Sequence, residues 1–237
     1  MAVGDRRRHG ADRLLVASWR GNEGVALLTP RPDRRPPDAA TIQDQLAALT
    51  RRGVRRAVTS ALAAQEQDGF LAAGFEVQER LHLLTHDLDT IPEVRADVTL
   101  RRGRRTDRAP VLDVDHRAFD PFWRLDAGGL RDAIDATPSS RYRVAVGREV
   151  VGYAVWGRAN ERGYLQRLAV DPARHREGIG TALVADGLTW LRRHRVRMAA
   201  VNTQEGNTVA VAAYHALGFR SEPEGLTVLA IDLPGLA

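Results

Sequence analysis

Two short segments concentrate residues whose types and spacing can do chemistry. The first is LAVDPARHREGIGTALVADGLTWLRR, residues 168–193. The apolar run Leu168-Ala169-Val170 leads through a polar loop to Gly178-Ile179-Gly180. Leu183, Val184, Leu188 and Leu191 then recur at helical spacing. Glycines at such a junction let the backbone approach a ligand closely and adopt φ values that other residues avoid. The first-turn amides of a helix lack partners within it, and its dipole favours negative charge there. Strand, glycine loop and helix start therefore make a cradle for a diphosphate. The backbone of Arg176, Glu177, Gly178, Ile179, Gly180 and Thr181 would form it, with His175 and Arg176 adding side-chain donors. Two other glycine loops are set aside. Gly-Lys-Ser/Thr is absent, and Leu183 stands where a dinucleotide-binding G-x-G-x-x-G needs a small residue.

The second segment is VNTQEGNTVAVAAYHALGF, residues 201–219. Asn207, Val211 and Tyr214 fall at i, i+4 and i+7, on one face of a helix. A phenol on that face can donate a proton. Asn207, just before TVAVAAY, can cap the helix or hold a ligand. The chain has no cysteine, which excludes thiol catalysis, disulfides and thiolate metal sites. No metal site is expected.

At these residues the sequence resembles the GCN5-related N-acetyltransferases (GNAT). HREGIG (175–180) is similar to the family's R/Q-x-x-G-x-G/A acetyl-CoA motif, with His175 in place of the usual Arg or Gln. Asn207, Ala210, Tyr214, Gly218 and Phe219 match the pattern of the family's last helix. The resemblance implies acetyl-CoA as co-substrate and direct acetyl transfer to a primary amine of a small molecule in a ternary complex. It implies that Tyr214 protonates the departing thiolate. It also implies that backbone amides of Leu168, Ala169 and Val170, freed where this strand splays from the next, meet the acetyl carbonyl and pantetheine. Asn207 is the remaining cofactor contact. Relatives often carry a glutamate base on these strands, whereas Tyr164, Gln166 and Asn202 stand here. Asp115, His116, Asp120, Asp126 and Glu205 are the other candidates, and a water chain would need none of them. The acceptor wall is assigned to AFDPFWRLD (118–126), with Phe119, Phe122, Trp123 and Arg124, together with Gln166, Arg167 and Asn202. Period-two alternation turns Gln166 and Arg167 to opposite faces.

The elements that must position these residues follow from pattern. The spacing predicts a strand over 98–103, helices over 109–118 and 130–136, a hairpin over 141–158 and a strand over 163–170. It then predicts helix 180–193, strand 197–202, helix 208–217 and strand 225–233. The first half gives strands 13–19 and 24–28, helix 39–50, strand 54–60, helix 63–71 and a strand ending LLTHDL (83–88). Gly74-Phe75 and Gly218-Phe219 stand 144 positions apart, and Phe70 falls opposite Tyr214, marking a weak internal repeat of about 70 residues. The first half's own loop, PDRRPPDAA, has no glycine pair, and its prolines remove amide donors. The expected fold is a mixed α/β GNAT acyl-CoA N-acyltransferase fold: a truncated, degenerate lobe over 1–92 and a complete catalytic domain over 93–237.

Composition limits the partners. Among 237 residues, 43% hydrophobic and 27% charged fit a globular protein and argue against disorder of the whole chain. No apolar run approaches the roughly 18 residues that span a bilayer. The basic start is followed by no apolar block, so a cytoplasmic protein is expected. The net charge of +5 comes from arginine alone, with no lysine, interleaved with 30 acids. Aromatics are 5%, so base stacking is weakly provided for and no nucleic-acid partner is expected. A homodimer is left open, since the first lobe could serve as dimer surface, brace or lid. Two further readings stay open: acetylation of a protein N-terminus or lysine, and non-catalytic binding of acyl-CoA by a regulatory protein.

Overall fold

The computed structural model describes residues 13–20 and 22–234. Residues 1–12 of the basic opening segment lie outside the described residues. In chain order the first elements are β1 (Leu14–Trp19), β2 (Asn22–Pro30), α1 (Ala39–Arg51), β3 (Arg56–Thr59), α2 (Ala64–Ala72) and β4 (Glu76–His86). Then come β5 (Thr99–Arg102), α3 (Arg108–Ala118), α4 (Ala127–Asp135), β6 (Ser139–Val146), β7 (Val150–Ala159) and β8 (Arg162–Val170). The last are α5 (Ile179–Arg193), β9 (Met198–Gln204), α6 (Thr208–Ala216), β10 (Arg220–Ser221) and β11 (Leu226–Asp232). Every strand and helix expected from sequence pattern is present, and among the described residues two-residue β10 and the 3-10 turns Arg105–Asp107, Pro121–Trp123 and Pro172–Arg174 are additional.

The contacts divide the chain into two units. One joins the residues through His82 to the segment from Pro223, and the other is Leu83–Glu222. The boundary expected near 92/93 is not where they divide. β4 leaves the first unit at His82, and β11, expected as the last strand of the catalytic domain, belongs to the first unit. There β11 pairs antiparallel with both β3 and β4. Leu229 of β11 is fully buried, and its N–H donates to Thr59 Oγ1 at 2.9 Å. Around it sit Leu28, Leu62, Phe70 and, from α1, Ile42, Leu46 and Leu49. Spacing of i, i+4 and i+7 puts these three α1 residues on one stripe.

In the second unit, β5, β6, β7 and β8 form an antiparallel run, and β9 joins β8 in parallel. Helices cover two faces. Trp156 and Ala154 of β7 pack with Ile179, Leu183, Leu188 and Leu191 of α5. Tyr153 and Val155 pack with Val111 and Val114 of α3 and Leu130 of α4. Alternation along β7 thus serves both layers. Among the described residues, no helix is long and apolar enough to cross a membrane.

Two helix ends match at the positions that the sequence pairs 144 apart. Gly74 (φ 96°) follows α2 and Gly218 (φ 94°) follows α6. Phe75 N donates to Phe70 O at 3.1 Å, and Phe219 N donates to Tyr214 O at 3.0 Å. In each case the phenylalanine ring meets the ring five residues earlier, at 5.3 and 5.5 Å between centroids. Both are glycine-terminated turns that satisfy the last helical carbonyls.

Gly187 of α5 is where the helix meets the Trp156 ring, and a Cβ there would fall on the indole. Gly187→Ala gains about 1 kcal/mol of helix propensity. Overpacking costs about 1–3 kcal/mol, and because the ring is wholly buried the clash should win. A thermal melt should show a lower midpoint for Gly187→Ala and no loss for Gly206→Ala, whose Cβ would meet nothing within 4 Å.

Candidate active site

The loop from β8 to α5 is built to leave amides bare. Gly178 is the residue before the helix and has φ 75°, the left-handed region that favours glycine. A Cβ there would also stand 3.3 Å from Arg95 O. Arg176 shares the left-handed conformation at φ 66°, a costly geometry for a residue with a side chain. No side chain caps α5, and its first turn carries no acid. The ladder begins only with Ala182 N donating to Gly178 O at 2.9 Å. The positive end of a 15-residue helix is therefore unclaimed by protein groups among the described residues. The loop's two acids are both ion-paired, Asp171 with Arg117 at 2.6 Å and Glu177 with Arg174 at 2.6 Å, and the Arg174 guanidinium holds the Glu177 carboxyl below the usual range. His175 does not point side-chain donors into the cradle: its Nε2 turns back to Val170 O at 3.2 Å.

Beside the cradle, β8 loses its neighbour. It pairs with β9 only at Arg162, Gly163 and Tyr164, opposite Met198, Ala199 and Ala200. Both strands run on, β8 to Val170 and β9 to Gln204. On its other side β8 stays paired to β7 through Val170, and Asp171 N donates to Val151 O at 2.8 Å. Strand alternation then turns the N–H groups of Leu168 and Val170 toward the unpaired side, and that of Ala169 toward β7. Asn202 is exposed on the diverging part of β9.

Tyr214 lies in α6, 5% exposed, in the same apolar cluster as Ile179 and Val201, with Leu168 and Val170 packed against it. Burial pushes its phenol above its ordinary value. Its hydroxyl makes no hydrogen bond to the described residues. Asn207 caps α6, accepting from Ala210 N at 3.2 Å, so the capping alternative is the one its side chain adopts here. The far end of α6 is pinned by His86, a residue the sequence did not single out. Its Nε2 donates to Leu217 O at 2.9 Å, and its Nδ1 accepts from Leu88 N at 2.8 Å.

The acceptor-wall segment forms a 3-10 turn at Pro121–Trp123 between α3 and α4. Phe122 and Trp123 meet edge to face at 5.0 Å. Phe119 lies under the Arg167 guanidinium at 3.5 Å. Arg124 is exposed and donates to Phe119 O at 3.0 Å. Asp126 caps α4, and His116 Nε2 donates to Leu125 O at 2.7 Å. Asp115 is ruled out as a base by its surroundings: it is fully buried and ion-paired to Arg167 at 2.8 Å. Gln166 and Arg167 do not face opposite ways. β8 carries a bulge there, with Val155 opposite Arg167 and Trp156 opposite Leu165. The extra residue, Gln166, reaches over Gly157 beside Thr137, on the α3–α4 side that Arg167 also faces.

The first unit offers a direct contrast. Its parallel pair, β2 and β3, stays in register from Val25/Arg56 to Leu28/Thr59, and Ser60 N continues to Leu28 O. Helix α1 starts under the carboxylate of Asp38, which accepts from Thr41 N at 2.9 Å. That hydrogen bond holds Asp38 below its usual range, so a fixed negative charge fills the helix start. No gap opens, and an anion would be repelled.

Comparison with known proteins agrees with this geometry. Residues 109–219 match the Acetyltransferase (GNAT) family. The mycothiol acetyltransferase of Salinispora tropica is 34% identical over 116 residues, 46% of this chain and 34% of that protein. The mycothiol acetyltransferase of Salinispora arenicola is 41% identical over 114 residues, 45% of this chain and 33% of that protein. The chain thus spans about a third of the length of these curated relatives. A GCN5-related N-acetyltransferase from Sphaerobacter thermophilus superposes with TM-score 0.63 at 16% identity, over 94% of this chain and 77% of that one. A tandem GNAT protein from the clavulanic acid biosynthesis pathway gives TM-score 0.64 at 16% identity, over 91% and 77%. The splayed strand, the glycine-started helix and the segment that matches the Acetyltransferase (GNAT) family, residues 109–219, thus fall in one unit.

Proposed function

We propose that the second unit is an acetyl-CoA-dependent N-acetyltransferase acting on a primary amine of a small molecule. The observation that carries this reading is the opening between β8 and β9 beside the uncapped start of α5. It supplies backbone donors where an acyl thioester must lie and a positive helix end where its diphosphate must lie. The amides of residues 176–181 would hold the diphosphate, and those facing outward from 168–170 would hold the acyl arm. Acetyl-CoA brings the activated acyl group. The mycothiol acetyltransferase relatives favour a small-molecule acceptor over a protein.

Tyr214 is the proposed proton donor. A phenol is protonated at neutral pH, as an acid for a departing thiolate requires, and burial extends this to higher pH for Tyr214. With Asp115 committed to Arg167, this reading uses no dedicated carboxylate base. The amine then loses its proton to solvent. The first unit, with its closed strand pair and Asp38-capped helix, binds no acyl-CoA. It remains a degenerate lobe of the same fold in this reading.

Calorimetry should give one acetyl-CoA site per chain, and replacing Gly178 and Gly180 by bulky residues should abolish it. Two sites per chain would overturn the assignment of the first unit, and no binding would overturn the function. Release of free CoA is then followed with glucosamine, tryptamine, putrescine and an alanine-terminated peptide as acceptors. Binding without turnover of any amine would favour the regulatory acyl-CoA-binding reading, and turnover of the peptide alone would favour protein acetylation. Tyr214→Phe should lower kcat by about 10²–10⁴-fold, the usual worth of a positioned acid, with acetyl-CoA affinity retained. Wild-type activity should rise with pH as the amine deprotonates. It should not fall before about pH 10, the ordinary phenol value, because the phenol of Tyr214 is raised.

A further inference from the structure

Asp115 sits in α3 with no exposed surface. Its Oδ1 accepts from Leu125 N at 2.8 Å and from Arg167 Nη2 at 3.0 Å. Its Oδ2 accepts from Arg167 Nε at 2.8 Å and from Tyr153 Oη at 2.5 Å. The same Arg167 Nη2 donates to Trp123 O at 2.7 Å, and Phe119 lies under the guanidinium. One carboxylate thus ties together α3, β7, β8 and both ends of the turn that carries Phe122 and Trp123. Burial and the Asp115 charge push the Tyr153 phenol well above its ordinary value, so it stays a donor.

A purely stabilising role accounts poorly for this arrangement. A buried ion pair roughly breaks even against well-packed apolar residues, because desolvation offsets the attraction. Hydrogen bonds with fixed directions are what such a group adds over a hydrophobic plug. Here those directions end on the backbone of Trp123 and Leu125, next to the bulge that presents Gln166.

We propose that Asp115 is a positioning residue. Acting through Arg167, it locks the 119–125 segment against β8 and so fixes the wall that selects the acceptor amine. This rests on the transferase reading above. Neither residue touches the cradle or Tyr214 in this role, so acetyl-CoA binding is independent of the lock.

The test uses the full chain with Asp115→Asn, Arg167→Lys and, as control, Tyr153→Phe. Three quantities are read: hydrogen exchange across 119–126, acetyl-CoA affinity by calorimetry, and steady-state kinetics with the best amine of the panel. In Asp115→Asn and Arg167→Lys, exchange at 119–126 should quicken at least about tenfold, and acceptor KM should rise at least about tenfold. Acetyl-CoA affinity should stay within about twofold. Tyr153→Phe keeps the ion pair and should change neither exchange nor KM. Unchanged exchange in both ion-pair variants would overturn the lock. A fall in kcat with unchanged acceptor KM would overturn the acceptor role. So would a parallel loss of acetyl-CoA affinity, which marks general destabilisation. If Asp115→Asn fails to fold, Arg167→Lys, which retains the charge but not the fork, carries the same test. If the wild type acetylates no amine, the transferase reading and the acceptor role fall together, while exchange still decides the lock.

Discussion

A backbone group taken out of water must find a partner, and β8, nine residues long, keeps its β9 partner only at Arg162, Gly163 and Tyr164. Everything distinctive in the second unit is arranged around that constraint. β8 is fixed on one side by β7, from Arg162 through Val170. It is therefore held rigid while its other edge is bare, which no free loop could achieve. The bulge at Gln166 falls where the pairing with β9 has already ended. Gly180 packs its backbone near Val170, 3.5 Å from Val170 Cγ2 to a Cβ placed there, so the bare helix start and the bare strand edge lie side by side. In the first unit the parallel pair β2 and β3 stays zipped by backbone hydrogen bonds through Leu28 and Thr59.

Charge near the site is organised by pairing rather than by sum. Arg117 is committed to Asp171 at 2.6 Å, and Arg174 to Glu177. Arg141 and Arg143 share Asp186, at 2.7 and 3.2 Å. The Arg174–Glu177 pair, the more exposed of these, contributes little stability. The Arg117 and Arg174 pairs neutralise the loop acids Asp171 and Glu177, leaving the helix end as the local positive potential. The net charge of +5 thus gives no phosphate footprint by itself, and the direction of a few amides does.

The chain path adds a second lesson. Each half of the sequence ends in a similar strand, LLTHDL and VLAIDL. The strand of the second half lies in the first unit, and the strand of the first half runs on past His82 into the second. There His86 holds the last carbonyl turn of α6, the helix of Tyr214. A domain boundary drawn from the linker at 91–110 misses this, because both strands have a similar apolar alternation and the pattern does not say which strand each one pairs with.

The sequence by itself determined the elements, the glycine-started helix and the repeated glycine turns. These depend on local periodicity, φ preference and capping, which neighbours along the chain decide. It also placed Tyr214 on an apolar helix face and showed that no carboxylate stands on β8. Tertiary structure alone decided the rest. The bulge at Gln166 broke the alternation that assigned Arg167 to the opposite face. Asp115, one of several acids in a polar stretch, became the buried centre of a hydrogen-bond network only when Arg167, Tyr153 and Leu125, from 10 to 52 positions away, converged on it. Which strand completes which sheet was settled by long-range hydrogen bonds and buried area. Local pattern carries no information about these, because it fixes how a segment folds and not what it folds against.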